Sequence, residues 1–129
     1  MGQFKIYGIK ERLDPIKETL SNVIHSCMME ALEYPLDKKF HRFFPMDKED
    51  FYFGSGRTDA YTIIEVSMFE GRSIAAKKQL INLLFERINS QLNISPQDVE
   101  ITIFETPRYN WGIRGLAGDE LTLNYKVNV

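Results

Sequence analysis

The sequence contains two copies of one strand–helix–strand unit. Apolar residues of the first helical stretch recur sixty positions later, in the pairs Leu20 and Leu80, Ile24 and Leu84, Met28 and Ile88, and Leu32 and Leu92. Beyond the helices the match continues at a spacing of 61, in the pairs Pro35 and Pro96, Phe40 and Ile101, and Phe43 and Phe104. Such repetition describes a supersecondary unit that cannot bury its apolar face alone. The repeat therefore constrains the fold more than any single motif.

The first copy has clear signals for its three elements. Alternating residues from Phe4 to Ile9 predict a strand, and Asp14 followed by Pro15 predicts the start of a helix, with Asp14 as N-cap. The helix is expected to end at Tyr34-Pro35, and Phe40–Phe44 to form a second strand closed by Pro45. The first copy thus reads as strand, helix, strand.

The second copy repeats this order. Residues Tyr61–Phe69 predict the third strand, Ser73 is the expected cap of the second helix, and Val99–Phe104 predict the fourth strand. The alternating residues of Leu121–Val129 predict a last strand.

Two fused βαβ units predict an α+β fold with a four-stranded mixed sheet and two helices on one face. We expect one domain over residues 1–129: repeat 1 over about 1–45, a connector over 46–59, repeat 2 over about 60–105, and a C-terminal segment over 106–129. The opposite face of the sheet needs cover, because Ile63 and Ile64 place apolar side chains on both sides. A closed homo-oligomer would supply that cover.

Composition excludes several classes of function. A formal net charge of −2 gives no electrostatic basis for nucleic-acid binding. The single cysteine, Cys27, permits no internal disulfide and fits a reducing compartment. The sequence has no apolar run of about 20 residues, so no membrane association is expected. These features predict a cytoplasmic protein.

Two motifs resemble those of the tautomerase superfamily. The first is Glu70-Gly71-Arg72-Ser73, followed by Lys77, and the second is the run Asn110–Gly115, which holds Trp111 and Arg114. Their order and spacing are similar to the long branch with two fused βαβ units, related to 4-oxalocrotonate tautomerase and to malonate semialdehyde decarboxylase-like proteins. The resemblance implies a tautomerase/MIF-like fold, a homotrimer, active sites at subunit boundaries and no cofactor.

The resemblance also implies a site. In the family an N-terminal proline, freed by removal of the initiator methionine, moves protons, arginines bind the carboxylate of a small keto or enol acid, and an aromatic residue forms a wall. Arg72 matches the arginine, and Trp111 matches the wall. Arg114 is expected at the pocket rim or in a salt bridge between subunits. For Arg72 the alternative is a surface arginine paired with Glu70, and for Trp111 it is packing at an interface.

The chain departs from the family pattern at its start. The residue after Met1 is Gly2, not proline, so removal of Met1 would leave a primary amine with a pKa of about 8. With Met1 retained, the Gly2 nitrogen is an amide and not a base. Glu100 replaces an arginine expected in the fourth strand, and Lys38 aligns with an aspartate of the decarboxylase branch.

Other residues supply weaker candidates. His41 is a candidate replacement base near neutral pH, although a structural strand histidine is the more common case. His25 is interpreted as structural or exposed, and no metal site is expected because no ligand spacing is present. The aromatic run Phe51-Tyr52-Phe53 in a polar connector is expected to dock onto a neighbouring subunit or the pocket mouth.

Two functions follow. The first is an isomerase of tautomerase type that catalyses keto–enol tautomerisation, or a related decarboxylation or hydration, of a small keto or enol acid with a carboxylate. In this enzyme Gly2 or His41 would move the proton. The alternative is a non-catalytic trimer that binds small acids or serves as a scaffold. The sequence does not name the substrate.

Overall fold

The computed structural model describes residues 2–129, so the question of whether Met1 is removed concerns a residue outside this range. The main elements are β1 (Gly2–Ile9), α1 (Lys10–Leu13), α2 (Lys17–Leu32), β2 (His41–Met46), β3 (Thr62–Phe69), α3 (Ile74–Leu92) and β4 (Val99–Thr106). A short hairpin of β5 (Gly112–Ile113) and β6 (Leu116–Ala117) follows. Short 3-10 turns occupy Asp14–Ile16, Lys48–Asp50, Pro96–Asp98, Arg108–Asn110 and Gly118–Glu120.

The sheet confirms the predicted α+β fold of two βαβ units. Its strand order is β2-β1-β3-β4, with each copy contributing a parallel pair and the two copies joined through antiparallel β1 and β3. Lys5 of β1 pairs with Glu65 of β3 at the centre of the sheet. Strands β1 and β3 have the same alternation of buried and half-buried residues. The two copies are therefore related by a pseudo-twofold axis near this pair.

The two copies match at one constant spacing of sixty residues, which corrects the predicted change to 61. Phe4 pairs with His41, and Ile64 pairs with Ile101, a separation of 37 residues in both copies. Phe104 therefore corresponds to Phe44 and not to Phe43. A slip of one residue would move every side chain of a strand to the other face, so the constant spacing keeps both phenylalanines on the same face.

Helices α2 and α3 cover one face of the sheet and form the core with it. The core side chains with no more than 1 % exposure include Phe4, Ile6, Leu20, Ile24, Met28, Ile64, Val66, Leu80, Leu84 and Ile88. As predicted, the Ser73 side chain caps α3 by accepting a hydrogen bond from the Ala76 N–H at 3.1 Å. Burial of this apolar surface is the main stabilising contribution to the fold.

The opposite face carries apolar side chains that its own chain covers only in part, through the connector residues packed near Ile63. Tyr7 stacks on Phe44 with ring centroids 4.9 Å apart, and Phe44 and Phe104 are 40 % and 50 % exposed. Ile63 on the same face is half-buried. Charged side chains, such as the paired Lys5 and Glu65, lie between them.

The first helix does not begin at Asp14, which corrects the predicted N-cap. The helical course begins at Lys10 and passes through a 3-10 turn at Asp14–Ile16 before α2. The Asp14 carboxylate lies 3.1 Å from the Lys17 ammonium instead of capping a backbone N–H. Pro15 accounts for the interruption, because it has no N–H to donate to the preceding turn.

The C-terminal segment, residues 121–129, is not a strand of the sheet, which corrects the last predicted element. Its residues alternate between half-buried and exposed, from Leu121 to Val129, as the sequence pattern indicated, but several bends interrupt the chain. The segment packs across the start of α3, where the Ser73 N–H donates to the Val129 carbonyl at 2.8 Å.

The connector folds back on its own chain. Phe51 is buried and packs with Phe53 and Tyr61, at centroid distances of 5.9 and 5.7 Å. The predicted docking onto another subunit or a pocket mouth is therefore wrong for the buried Phe51, and it stays a prediction for the half-buried Phe53 and the exposed Tyr52. Among residues 2–129, no helix combines the length and apolar character needed to cross a membrane.

Candidate active site

Arg72 is turned into the protein by the glycine that precedes it. Gly71 has a φ of +131°, a conformation open to glycine but strained for other residues. A β-carbon at Gly71 would also lie 2.7 Å from Asn128 Oδ1 and 2.9 Å from Val127 Cγ1, so the C-terminal segment approaches the backbone closely here. Arg72 is only 5 % exposed as a result. The predicted alternative of a surface arginine paired with Glu70 is therefore wrong.

The Arg72 guanidinium is only partly satisfied by well-placed acceptors. Its Nη1 donates to the Phe69 carbonyl at 3.0 Å, whereas no acceptor within the described chain meets hydrogen-bond geometry at Nε or Nη2, both of which are buried. Burial lowers the pKa of Arg72, and the nearby Tyr125, Tyr34 and Glu105 oppose this shift. The Tyr125 hydroxyl is the polar neighbour of the guanidinium. A buried cation with two donors that meet no acceptor in good geometry is costly, and an anionic ligand would satisfy it.

The Gly2 nitrogen lies at the same end of the sheet. Gly2 begins β1, is buried, and pairs with Met68, four residues before Arg72. Its nitrogen donates a hydrogen bond of 2.6 Å to the Tyr34 hydroxyl. Tyr34 directly follows Glu33, whose left-handed conformation ends α2. The candidate proton-moving atom is thus held by a residue from the end of the first helix.

Tyr125 connects the Gly2 side of the site to Arg72. Its ring meets the Tyr34 ring edge-on, with centroids 5.2 Å apart, and the two hydroxyls hydrogen-bond to each other. Burial raises the pKa of both tyrosines, while Arg72 opposes the shift. Both hydroxyls are therefore neutral at physiological pH. The site contains an amide or amine nitrogen, two phenols and a guanidinium.

The C-terminal segment brings Tyr125 to this position and is fixed at both ends. The Arg108 guanidinium donates to the Leu121 carbonyl at 3.1 Å and to the Gly118 carbonyl at 3.0 Å. At the other end, Ser73 holds Val129. Tyr125 is thus placed by contacts that span the hairpin and the start of α3.

A narrow pocket is lined in part by Tyr125. Its lining includes Phe69, Ile113 and Tyr125, with Lys38 and Arg114 adding two cations. Trp111 packs edge-on against Phe69, with ring centroids 5.2 Å apart, and lines a neighbouring pocket together with Ile113 and Arg114. Arg72, Trp111 and Arg114 therefore gather around Phe69 and Tyr125, at the end of the sheet where Gly2 lies.

His41 lies in a different cluster. At the start of β2 its Nδ1 is 2.7 Å from the Ser21 hydroxyl, and its ring packs against Phe4 and His25. Burial lowers the pKa of His41 to about 4, helped by His25 and Lys39. His25 is buried, and its Nε2 donates to the Leu36 carbonyl at 2.8 Å, which confirms the structural interpretation. The contacts of His41 thus join it to α2 and not to Arg72.

Sequence reasoning did not identify Tyr34, Tyr125 or Lys38 as site residues. Tyr34 carried a signal only as the residue before a helix-ending proline, and Tyr125 only as one position of an alternating segment. Glu100, which replaces a predicted arginine, accepts a hydrogen bond from Tyr61 at 3.0 Å in a separate place. Within residues 2–129, no group of three or more His, Cys, Asp or Glu side chains is arranged to hold a metal ion.

Comparison with known proteins identifies the family of this chain. A family model described as a tautomerase enzyme matches residues 38–114, more than half of the chain. The chain belongs to the tautomerase family. The probable tautomerase YusQ of Bacillus subtilis (strain 168) is 27 % identical over 99 residues, which cover 73 % of this chain and 78 % of the relative.

Solved tautomerase-family structures share the fold. A fused 4-OT, solved as a wild-type asymmetric trimer, gives a TM-score of 0.80 at 22 % identity and covers 91 % of this chain and 96 % of its own. FG41 malonate semialdehyde decarboxylase, inhibited by 3-bromopropiolate, gives 0.81 at 22 % identity and covers 94 % and 98 %. These matches confirm the predicted relation to both groups at the level of the fold.

Proposed function

We propose that this member of the tautomerase family is an isomerase that interconverts the keto and enol forms of a small acid bearing a carboxylate. The observation that carries the proposal is Arg72: a guanidinium 5 % exposed, with Nε and Nη2 lacking acceptors in the described chain. Related decarboxylation or hydration would need the same carboxylate site. No cofactor is required for either chemistry.

Arg72 binds the carboxylate in this proposal. Two N–H groups of one guanidinium match the two oxygens of a carboxylate, and hydrogen bonds between charged partners are about twice as strong as neutral ones. Because Tyr125 lines the pocket and lies beside Arg72, we infer that its side chain shifts when a ligand enters. Lys38 and Arg114 attract the acid to the pocket, and Trp111 stabilises its wall through Phe69.

The Gly2 nitrogen moves the proton in this proposal. Removal of Met1 makes it a primary amine, and the neutral amine takes the proton of an enol hydroxyl. The resulting ammonium then delivers a proton to the neighbouring carbon, which yields the keto form and restores the amine. The location of Gly2 beside Tyr34 and Tyr125 favours it over His41, whose contacts lie around Ser21.

The chain functions as a homotrimer in this proposal. Support comes from the uncovered sheet face with Tyr7, Phe44 and Phe104, and from the trimer of the structurally similar fused 4-OT. The single buried thiol of Cys27 fits a reducing, cytoplasmic compartment.

Replacement of Arg72 tests the proposed function. With phenylenolpyruvate as a simple enol acid, Arg72→Gln should lower kcat/KM by between about ten- and a hundredfold, because a charged hydrogen-bonded pair is lost. Arg12→Gln is the matched control: Arg12 stands sixty residues earlier, at the same position of the first copy, and is exposed. Equal activity of both variants and the parent would overturn the carboxylate role of Arg72.

A second candidate is a trimer that binds small acids without catalysis. The replacement of the family's proline by Gly2 and the burial of that residue favour it. Binding of the enol acid by calorimetry, lost in Arg72→Gln and accompanied by no turnover in the parent protein, would establish this alternative.

A further inference from the structure

Tyr34 differs between the two copies in a way that the fold does not require. The residue sixty positions later is Ile94, which is 7 % exposed, while Tyr34 is 4 % exposed. Both follow a left-handed residue that ends a helix, Glu33 or Asn93. An aliphatic side chain therefore fills this position adequately, and the hydroxyl of Tyr34 is additional to packing.

The Tyr34 hydroxyl is used for two hydrogen bonds at the candidate active site. It accepts from the Gly2 nitrogen at 2.6 Å and is hydrogen-bonded to Tyr125, which lies beside Arg72. A phenol has one proton and two lone pairs, so it accepts from Gly2 and donates to Tyr125 at the same time. At the corresponding place in the second copy, Ile94 has no hydroxyl to accept such a bond, and the Thr62 side-chain hydroxyl donates to the Ala60 carbonyl.

We propose that Tyr34 is a positioning residue for the Gly2 nitrogen: its hydroxyl holds that nitrogen in a fixed place relative to Arg72 and stabilises its protonated form. The inference rests on the proposed role of Gly2 as an amine. It extends that role because the hydroxyl helps to fix the position of the nitrogen, which the rigid proline ring fixes in other members of the family. A glycine at the start of a chain is flexible, so its nitrogen has no fixed position unless a neighbouring group holds it.

The charged and titratable neighbours of the Gly2 nitrogen determine whether loss of the Tyr34 hydroxyl should raise or lower the amine pKa. Tyr34 contacts the nitrogen as a neutral group, the neutral Tyr125 is bonded to Tyr34, Arg72 interacts with both tyrosines, and Glu105 of β4 acts on Arg72. On the β2 side, His41 packs against Phe4 and is neutral. A phenol oxygen that accepts a hydrogen bond favours the ammonium over the amine, so loss of the hydroxyl should lower the amine pKa.

The test compares Tyr34→Phe with the parent protein, both labelled with [2-13C]glycine and checked for removal of Met1 by intact mass. The Gly2 methylene resonance reports the amine pKa. Tyr34→Phe keeps the ring that packs on Tyr125, and we expect it to lower the amine pKa by roughly half a unit to one unit. Tyr61→Phe, which removes a hydroxyl bonded to Glu100, should leave that pKa unchanged.

A kinetic measurement separates this inference from the proposed function. With phenylenolpyruvate, Tyr34→Phe should lower kcat about tenfold with little change in KM, whereas Arg72→Gln should affect KM. Tyr34→Ile, which copies Ile94, should show the same amine pKa as Tyr34→Phe and guards against a folding effect. An unchanged amine pKa in both variants, or retention of Met1 in the purified protein, would overturn the inference. An inactive parent with a shifted amine pKa in Tyr34→Phe would overturn only the proposed function.

Discussion

The same residue type occupies corresponding positions 12 and 72 in opposite surroundings. Arg12 lies in α1 and is exposed, whereas Arg72 lies in an irregular turn and is buried. The preceding residue explains the difference: Glu11 is helical, while Gly71 takes a φ of +131° that directs the chain inward. One glycine thus buries the arginine of one copy, whereas the arginine of the other copy stays on the surface.

His41 shows a second effect at the residue scale, a dependence of stability on pH. Its pKa is about 4 in the folded protein, mainly because of burial, against about 6.5 for an unperturbed histidine. The unfolded chain therefore binds a proton that the folded chain excludes. Stability from this residue is present above about pH 6.5 and is lost as the pH falls toward 4, by at most about 3 kcal/mol.

Urea unfolding at pH 7 and pH 5 tests this prediction. His41→Gln can still hydrogen-bond to Ser21 through its amide but has no group that titrates in this range. We expect the difference in unfolding free energy between the two pH values to be smaller in the variant than in the parent. An equal loss in both proteins would show that other groups cause the acid sensitivity.

At the scale of elements, the C-terminal segment acts as a cover for the start of α3. Its side chains alternate as in a strand, but its backbone is fixed by Arg108 and Ser73 and not by a strand ladder. This arrangement places Tyr125 against Tyr34 and Val127 against Gly71. The element that completes the site is therefore a non-repeated addition to the duplicated fold.

Gly71→Ala tests the docking of this segment. The new β-carbon would lie under 3.0 Å from both Asn128 and Val127, in a backbone conformation that alanine avoids, so we expect a loss of about 2–4 kcal/mol in unfolding free energy. Gly112→Ala is the matched control, since a β-carbon there has no neighbour within 4 Å and should change stability by less than about 0.5 kcal/mol. Similar melting temperatures for both variants would contradict the close approach.

At the scale of the whole molecule, the uncovered sheet face connects duplication to assembly. The constant spacing places Phe44 and Phe104 at equivalent positions on outer strands β2 and β4. Two equivalent edges, each with an exposed phenylalanine, suit a closed ring of subunits in which opposite edges of neighbouring chains meet.

The proposed trimer predicts a mass of about 45 kDa in solution, from a chain of 15.1 kDa. The double variant Phe44→Glu, Phe104→Glu should dissociate, because it places charges in the apolar part of the interface. Tyr52→Glu is the control: Tyr52 is 91 % exposed in the connector and should leave the mass unchanged. Light scattering that gives about 15 kDa for the parent at micromolar concentration would refute the trimer.

Local patterns predicted the fold well because each signal acts within a few residues. Ser73 and the apolar stripe from Leu80 to Ile88 define α3 without knowledge of the rest of the chain. The sequence predicts Asp14 as an N-cap and the structure does not have it there, because an N-cap signal does not show whether the preceding residues are already helical. The contact of Tyr34 with Tyr125 joins residues about ninety positions apart, and no local pattern reports such a pair. The resemblance supplied Arg72, but only the structure showed that its guanidinium is buried beside Tyr125 with two donors that meet no acceptor in good geometry.

The separation of 37 residues between paired positions in each βαβ unit restricts how such a chain can change in length. A deletion of one residue within either crossover would shift the following outer strand by one position and turn Phe44 or Phe104 toward the helices. The connector that joins the copies is not subject to this restriction, because it lies outside both crossovers. Insertions and deletions should therefore be tolerated in the connector, and both halves of the protein should keep their lengths.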